Sequence, residues 1–285
     1  MAGTLTAIHI YPVKSCRAVP LDSVEIASTG LQGDRLFQVI DAAHNPVTQR
    51  QQPTLATVQP TFNDGALQLE ADGRAALHVP IPTVNDATAN SLLGVPVAAA
   101  DAGDEAAAWF TELLDAPVRL AAMTQETTYR LPIPGIDMTL SWADACSVLV
   151  VNRASLEWLN ERSSEPFGMD RFRPNLTVDA GAAWTEDTWR DFSIGPARFG
   201  LGIAWPRCTI PQVDQVDGSL HKEPANVLKQ HRWCSDAASA DPALRPLIEG
   251  NALFGIGCSA APEGAVVSLG DDLTVHRQEA PVITG

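Results

Sequence analysis

Short β-like runs dominate this chain, and each is closed within a few residues by proline, glycine or a turn dipeptide. That punctuation leaves no room for a helical bundle or an alternating βαβ sheet. Residues 5–11 are apolar and β-branched and end at Pro12. Residues 36–40 are a second run, 41–46 read as its turn, and Val47 starts the return strand. Leu67-Gln68-Leu69, Asp72-Gly73 and Leu77-His78-Val79 read as a hairpin, and Pro80 and Pro82 argue against a deeper strand there. A helix is expected over residues 104–114, with Asp104 able to cap it and Ala107, Phe110, Leu113 and Leu114 along one face. Residues 118–123 return as a strand. Residues 125–141, with Pro132, Pro134 and Gly135, show no clear period, and the domain junction is placed near residue 122.

In the second half, residues 146–151 read as a buried strand, and Asn152 then caps a helix carrying Leu156 and Leu159. Residues 176–178, 192–194 and 199–204 read as strands, and Pro224 opens a short helix through Val227 and Leu228. Residues 266–269 and 273–276 close the chain as strands around an Asp271-Asp272 turn. Strands outnumber helices and come in hairpins, so the expectation is a β-rich α+β protein of two domains, 1–122 and 123–285.

Composition excludes several classes. Lys and Arg total 19 against 34 Asp and Glu, a formal charge of −15, which argues against a general nucleic-acid binder and reads as solubility. No apolar stretch approaches the ~20 residues that span a bilayer, and the opening residues lack the pattern of a secretory signal. The five cysteines are widely spaced with no CxxC, which removes zinc-ribbon, thioredoxin-like and plant-type ferredoxin readings and fits a reducing cytoplasm. Phosphate-loop, HExxH and GxSxG patterns are absent. Gly255-Ile256-Gly257 with Ala260 nominally matches a dinucleotide loop, but no strand is read before it and Pro262 blocks the helix after it.

Two segments carry candidate chemistry. In Tyr11-Pro12-Val13-Lys14-Ser15-Cys16-Arg17, followed by Gly33-Asp34-Arg35, the residues Lys14, Ser15 and Arg35 can supply two cations and a hydroxyl to an anionic ligand. The alternative is an exposed lysine and an arginine paired structurally with a carboxylate. In Ala204-Trp205-Pro206-Arg207-Cys208-Thr209-Ile210-Pro211 a cysteine follows an arginine at a strand end, and a neighbouring cation stabilises the thiolate, the nucleophilic and metal-ligating form. The alternative is a buried inert cysteine.

Taken in order, YPVKSC, GDRLFQVID, TQRQQP, RFRPN, PRCTIPQVD and KEP resemble the MOSC-domain family, nearest its mitochondrial amidoxime-reducing component and YcbX-like branches, over residues 4–276. The resemblance implies a MOSC N-terminal β-barrel domain over 1–122, a MOSC β-barrel domain over 123–285, and a molybdenum cofactor (Mo-molybdopterin) between them. It implies that Cys208 is the thiolate that binds molybdenum. Thiolate is a soft ligand suited to that metal beside the two sulfurs of the pterin. It places Lys14, Ser15, Arg35, Arg173, Asn175 and Ser147 against the pterin and its phosphate. Asp214, six residues after Cys208, is the candidate proton relay. Pro206 departs from the family pattern, which has serine in the mitochondrial branch.

The implied activity is two-electron reduction of small N-hydroxylated compounds: hydroxylamines, amidoximes and N-hydroxylated bases. No CxxxxCxxC spacing occurs, so a separate electron-donor protein is expected, of flavin reductase, ferredoxin or cytochrome type, with no nucleic-acid or membrane partner. The competing class is a carrier of molybdenum cofactor, or of sulfur on Cys208.

Overall fold

The computed structural model describes residues 2–127, 129–130, 132–133, 138–237, 240 and 242–283, and its centre is a closed barrel of seven strands. In chain order these are β1 (Ala2–Ile10), β2 (Val148–Asn152), β3 (Leu176–Asp179), β4 (Trp189–Ile194), β5 (Ala197–Arg207), β6 (Asn251–Ala261) and β7 (Asp272–Gln278). Around the barrel the order is β2-β3-β1-β7-β4-β5-β6, and β6 pairs back onto β2 through Leu149↔Gly257. Six of the seven pairings are antiparallel; only β2 and β3 run parallel, joined by the helix α2 (Arg153–Asn160). Asn152 caps α2 as expected, its side chain accepting from the Ala154 N–H.

The barrel is filled by aliphatic and aromatic side chains that alternate inward, among them Leu5, Ile8, Val148, Val150, Trp189, Phe192 and Ile256. The rings of Phe192 and Phe199 stack with centroids 5.2 Å apart. Strand β1 belongs to this barrel, although it comes from the start of the chain: Ile8 faces Leu176, and Gly3 faces Leu273. Residues 266–268 and 272–278 do flank a turn but do not pair with each other. The first strand joins Ser23–Ala27 and the second, β7, joins β1 and β4.

The first half adds a four-stranded antiparallel sheet, ordered Phe37–Ile40, Arg119–Ala122, Pro96–Asp101 and Ala87–Asn90. A three-stranded meander, Gln59–Asn63, Ala66–Glu70 and Leu77–Pro80, contains the expected hairpin. Helix α1 (Asp104–Leu114) buries Phe110 and Leu114 in a core shared with Leu55, Leu67 and Leu120. Its N-cap is Gly103, not Asp104: Gly103 sits at φ +95°, and Asp104 is the first helical residue. Val47 starts no return strand. It makes a single ladder bond to Val39, and the chain turns away through residues 48–52. Pro134 and Gly135 lie outside the described residues. Among the described residues no helix is long and apolar enough to cross a membrane.

Candidate functional site

A cavity of about 310 Å³ opens where the barrel meets the first half, and four loops deliver its chemistry. The turn after β1 brings Lys14 and Ser15, and the turn before Phe37–Ile40 brings Arg35. A short 3-10 turn, Met169–Phe172, ends in Arg173, and the end of β5 brings Arg207 and Cys208. The backbones at Ser15 (φ +69°), Arg35 (φ +50°) and Arg173 (φ +55°) are all left-handed. For a residue with a Cβ that conformation costs roughly 1–2 kcal/mol, and such strain persists where surrounding structure fixes the side chain in place.

Five cations line the cavity, Lys14, Arg35, Arg50, Arg173 and Arg207, against the single carboxylate of Asp144. In a chain of net charge −15 this is a concentrated positive site. Lys14 is buried, not exposed: its Nζ donates to the Trp142 carbonyl at 2.8 Å and to Asp144 Oδ1 at 2.6 Å. Burial pulls the Lys14 ammonium down from its ordinary value, and Asp144 opposes that. Arg35 does pair with a carboxylate, Asp34, and still faces the cavity, with Nη1 reaching Asn175 Oδ1 at 3.3 Å. The guanidiniums of Arg35 and Arg173 both lie over the Tyr11 ring, 4.7 and 4.2 Å from its centroid. Burial pushes the Tyr11 hydroxyl up to about 12, and it donates to the Pro174 carbonyl at 3.0 Å.

Among the described residues, two buried cavity nitrogens, Arg173 Nη2 and Arg207 Nε, have no hydrogen-bond partner. A buried cationic N–H left unpaired is costly, and both groups have the chemistry to receive an anion. Arg173 Nη1 is held by Gln215 Oε1 at 3.1 Å, and Arg207 Nη2 by the Phe172 carbonyl at 2.6 Å. Burial pulls Arg173 down to about 10 and still leaves it charged at neutral pH.

Cys208 is exposed at the mouth, whereas Cys16, Cys146, Cys234 and Cys258 are buried. Its Sγ accepts from the Ile210 N–H at 3.5 Å. Arg50 interacts with it, and Arg50 Nη2 lies 3.6 Å from Asp144 Oδ2. Cys146 also lines the cavity, but burial pushes its thiol up to about 12. Apolar residues Leu93, Trp205 and Leu247 form the remaining wall. Gly257 is in β6, so the glycine-rich segment is a barrel strand and not a nucleotide loop. A Cβ there would collide with the Trp205 indole and sit 2.9 Å from Cys146 Cβ.

Of the residues expected from the sequence, Lys14, Ser15, Arg35, Arg173, Asn175 and Cys208 come together around one cavity. Ser147 does not line it: its Oγ donates to the Thr139 carbonyl at 3.2 Å, and its neighbours 144–146 take the lining position. Asp214 also stays outside, with Oδ2 accepting from Arg171 Nη2 at 2.6 Å and Oδ1 from the Val216 N–H at 2.8 Å. Sequence reasoning missed Tyr11, Arg50 and Asp144. Tyr11 and Arg50 stand inside quoted motifs, YPVKSC and TQRQQP, but no local pattern sets them apart.

These residues fit a phosphorylated, sulfur-bearing metal cofactor: unpaired guanidinium N–H groups for the anion, and a thiol for the metal. Among the described residues no cluster of three or more His, Cys, Asp or Glu could hold a metal ion.

The family model described as the MOSC N-terminal beta barrel domain matches residues 2–117, and that of the MOSC domain matches residues 137–274. Mitochondrial amidoxime reducing component 2 of Bos taurus is 33% identical over 282 residues, covering 94% of this chain and 82% of that protein. The human protein of the same name is 32% identical over 277 residues, covering 93% and 81%. Human mitochondrial amidoxime-reducing component 1 is 32% identical over 266 residues, covering 89% and 77%.

Proposed function

This chain belongs to the MOSC-domain family, and from that premise we propose that it is a molybdenum-cofactor-dependent oxidoreductase that reduces N-hydroxylated compounds. The substrates are hydroxylamines, amidoximes and N-hydroxylated bases. The N–O bond breaks, two electrons and two protons are consumed, and an amine (or amidine) and water leave. One observation carries the reading: an exposed thiol, Cys208, opens onto the same cavity as two buried guanidinium N–H groups that lack partners.

When bound, the cofactor supplies the two-electron redox chemistry. The chain does the rest. Cys208 would hold the metal, and Arg50 lies beside it at the mouth of the cavity. Lys14, Arg35 and Arg173 hold the pterin and its phosphate, with Ser15 and Asn175 alongside. Leu93, Trp205 and Leu247 exclude water and receive the carbon skeleton of the substrate. Electrons come from a separate donor protein of flavin reductase, ferredoxin or cytochrome type; the relatives' name, a component, supports that division. The five free thiols support a cytoplasmic location.

The test is molybdenum per chain and benzamidoxime reduction, on protein from a cofactor-competent host. Near-stoichiometric metal with turnover from a chemical donor is expected, and Cys208→Ala removes turnover while the pterin stays. Retained turnover in Cys208→Ala overturns the assignment. A second reading, sulfur carriage on Cys208, is favoured by the exposure of that one thiol. It requires a persulfide transferable to an acceptor protein and no reductase turnover.

A further inference from the structure

Gln49 and Gln215 are buried, at 0% and 7% exposure, and face each other with all four amide atoms engaged. Gln49 Nε2 donates to Gln215 Oε1 at 2.9 Å, and Gln215 Nε2 donates back to Gln49 Oε1 at 3.1 Å. Gln49 Nε2 also donates to the Ser15 carbonyl at 2.7 Å, and Gln215 Nε2 to the Val213 carbonyl at 2.9 Å. Gln215 Oε1 then accepts from Arg173 Nη1 at 3.1 Å. The pair therefore ties together three cavity segments: the turn of Ser15, the loop after Cys208, and Arg173.

The chemistry of the partner matters as much as its place. Lys14 leans on Asp144, Arg35 on Asp34 and Arg171 on Asp214, so each of these cations is met by a carboxylate. Arg173, buried at 7% exposure, is met by an amide. Glutamate at 215 would place the same acceptor oxygen on Arg173 and would cancel its charge. Glutamine supplies the acceptor without the charge. It aligns the guanidinium plane, which leaves Nη2 free, and the full positive charge remains for a ligand.

We propose that Gln215, backed by Gln49, is a positioning residue that fixes Arg173 for the anionic part of the cofactor while leaving its charge uncompensated. The proposal rests on the cofactor reading above. Its core is that Arg173 meets a neutral acceptor; the same amide also donates to Gln49 Oε1 and the Val213 carbonyl, two bonds that a carboxylate there would lose.

The experiment loads the full chain in a cofactor-competent host and measures released pterin per chain and thermal melting for wild type, Gln215→Glu and Gln215→Met. Methionine keeps the volume and the neutrality but loses the hydrogen bonds. Glutamate keeps the oxygen on Arg173 and adds charge, and like methionine it loses the two bonds that Gln215 Nε2 donates, so the comparison of the two variants isolates the charge. With cooperative melting retained, Gln215→Glu is expected to carry about tenfold less pterin than wild type, and Gln215→Met to fall between them. A Glu variant that loads like wild type, or no worse than the Met variant, overturns the proposal. If the Glu variant does not fold, Gln215→Met tests the positioning role: reduced loading supports that role, and wild-type loading overturns the proposal. A wild-type chain that takes up no pterin overturns the cofactor reading and the proposal with it, whereas a loaded wild type with an equally loaded Glu variant overturns the proposal alone.

Discussion

Lys14 Nζ donates to Asp144 Oδ1 at 2.6 Å and so joins two cavity segments 130 residues apart in sequence. Burial works to raise the Asp144 carboxyl, but Lys14, Arg50 and Arg35 outweigh it and hold the group below its ordinary value. A carboxylate held low stabilises the fold above its unfolded pKa, and that contribution disappears as pH falls through the folded value. Asp144 is 39% exposed, so solvent screens the pair, and Asp144→Asn is expected to cost about 1 kcal/mol at pH 7. Urea unfolding checks it. The gap between variant and wild type should close as pH drops below 3.8, the unfolded carboxyl's value, and a gap constant with pH would show that the ion pair is not its source.

Asp214 separates two roles in one variant. Both its oxygens are engaged, one by Arg171 and one by the Val216 N–H, and the residue clamps the loop that follows Cys208. Asp214→Asn is expected to lower stability by about 1–2 kcal/mol and to leave the pH profile of kcat unchanged. A shifted pH profile with unchanged melting would restore the proton-relay role.

Gly257→Ala tests the Trp205 wall. The added methyl collides with the indole and crowds Cys146, and overpacking of this kind costs about 1–3 kcal/mol. The expected signature is a higher KM for bulky N-hydroxylated substrates than for small ones, read from steady-state kinetics. An equal change for all sizes would remove Trp205 from the substrate wall.

Glu186, which does not line the cavity, is fully buried, and burial with the neighbouring Asp187 charge pushes its carboxyl up to about 7. Asp187 itself pairs with Arg232. The folded chain then holds a proton on Glu186 that the unfolded chain releases above its ordinary value of 4.5. Stability therefore falls as pH rises from 4.5 to about 7 and levels off above that. Glu186→Gln should flatten this slope and raise the melting temperature at pH 8 relative to pH 5. A variant whose slope matches wild type would place the titrating group elsewhere.

Local signals carried the fold well where pairing was also local. The hairpin around Asp72-Gly73, the bounds of α1 and the Asn152 cap all follow from residues within a few positions of one another. Strand β6 was missed because Gly255 and Gly257 interrupt its apolar run, yet Gly257 is small to admit Trp205, a distant contact that no window can show. The strands Gln59–Asn63, Ala87–Asn90 and Pro96–Asp101 were missed for want of β-branched runs. At the site, the motifs brought Lys14, Arg35, Arg173 and Cys208 to attention only through their order along the chain. Arg50 and Asp144 matter through three-dimensional charge balance, which spacing does not encode.

Within the barrel, strand β1 pairs only with strands from the second half of the chain. Gly3 pairs with Leu273, and Ile8 pairs with Leu176, so the opening nine-residue strand has no ladder partner in the barrel until more than half of the chain has emerged. Through that interval Val19–Leu21 covers only Ile8 to Ile10 on one edge, the rest of the strand is open, and the barrel cannot close without β7. The turn that carries Lys14 and Ser15 hangs from the end of that strand. The placement of Lys14 and Ser15 thus depends on strands from the second half of the chain, and a chain cut before β7 has no closed barrel to hold that turn.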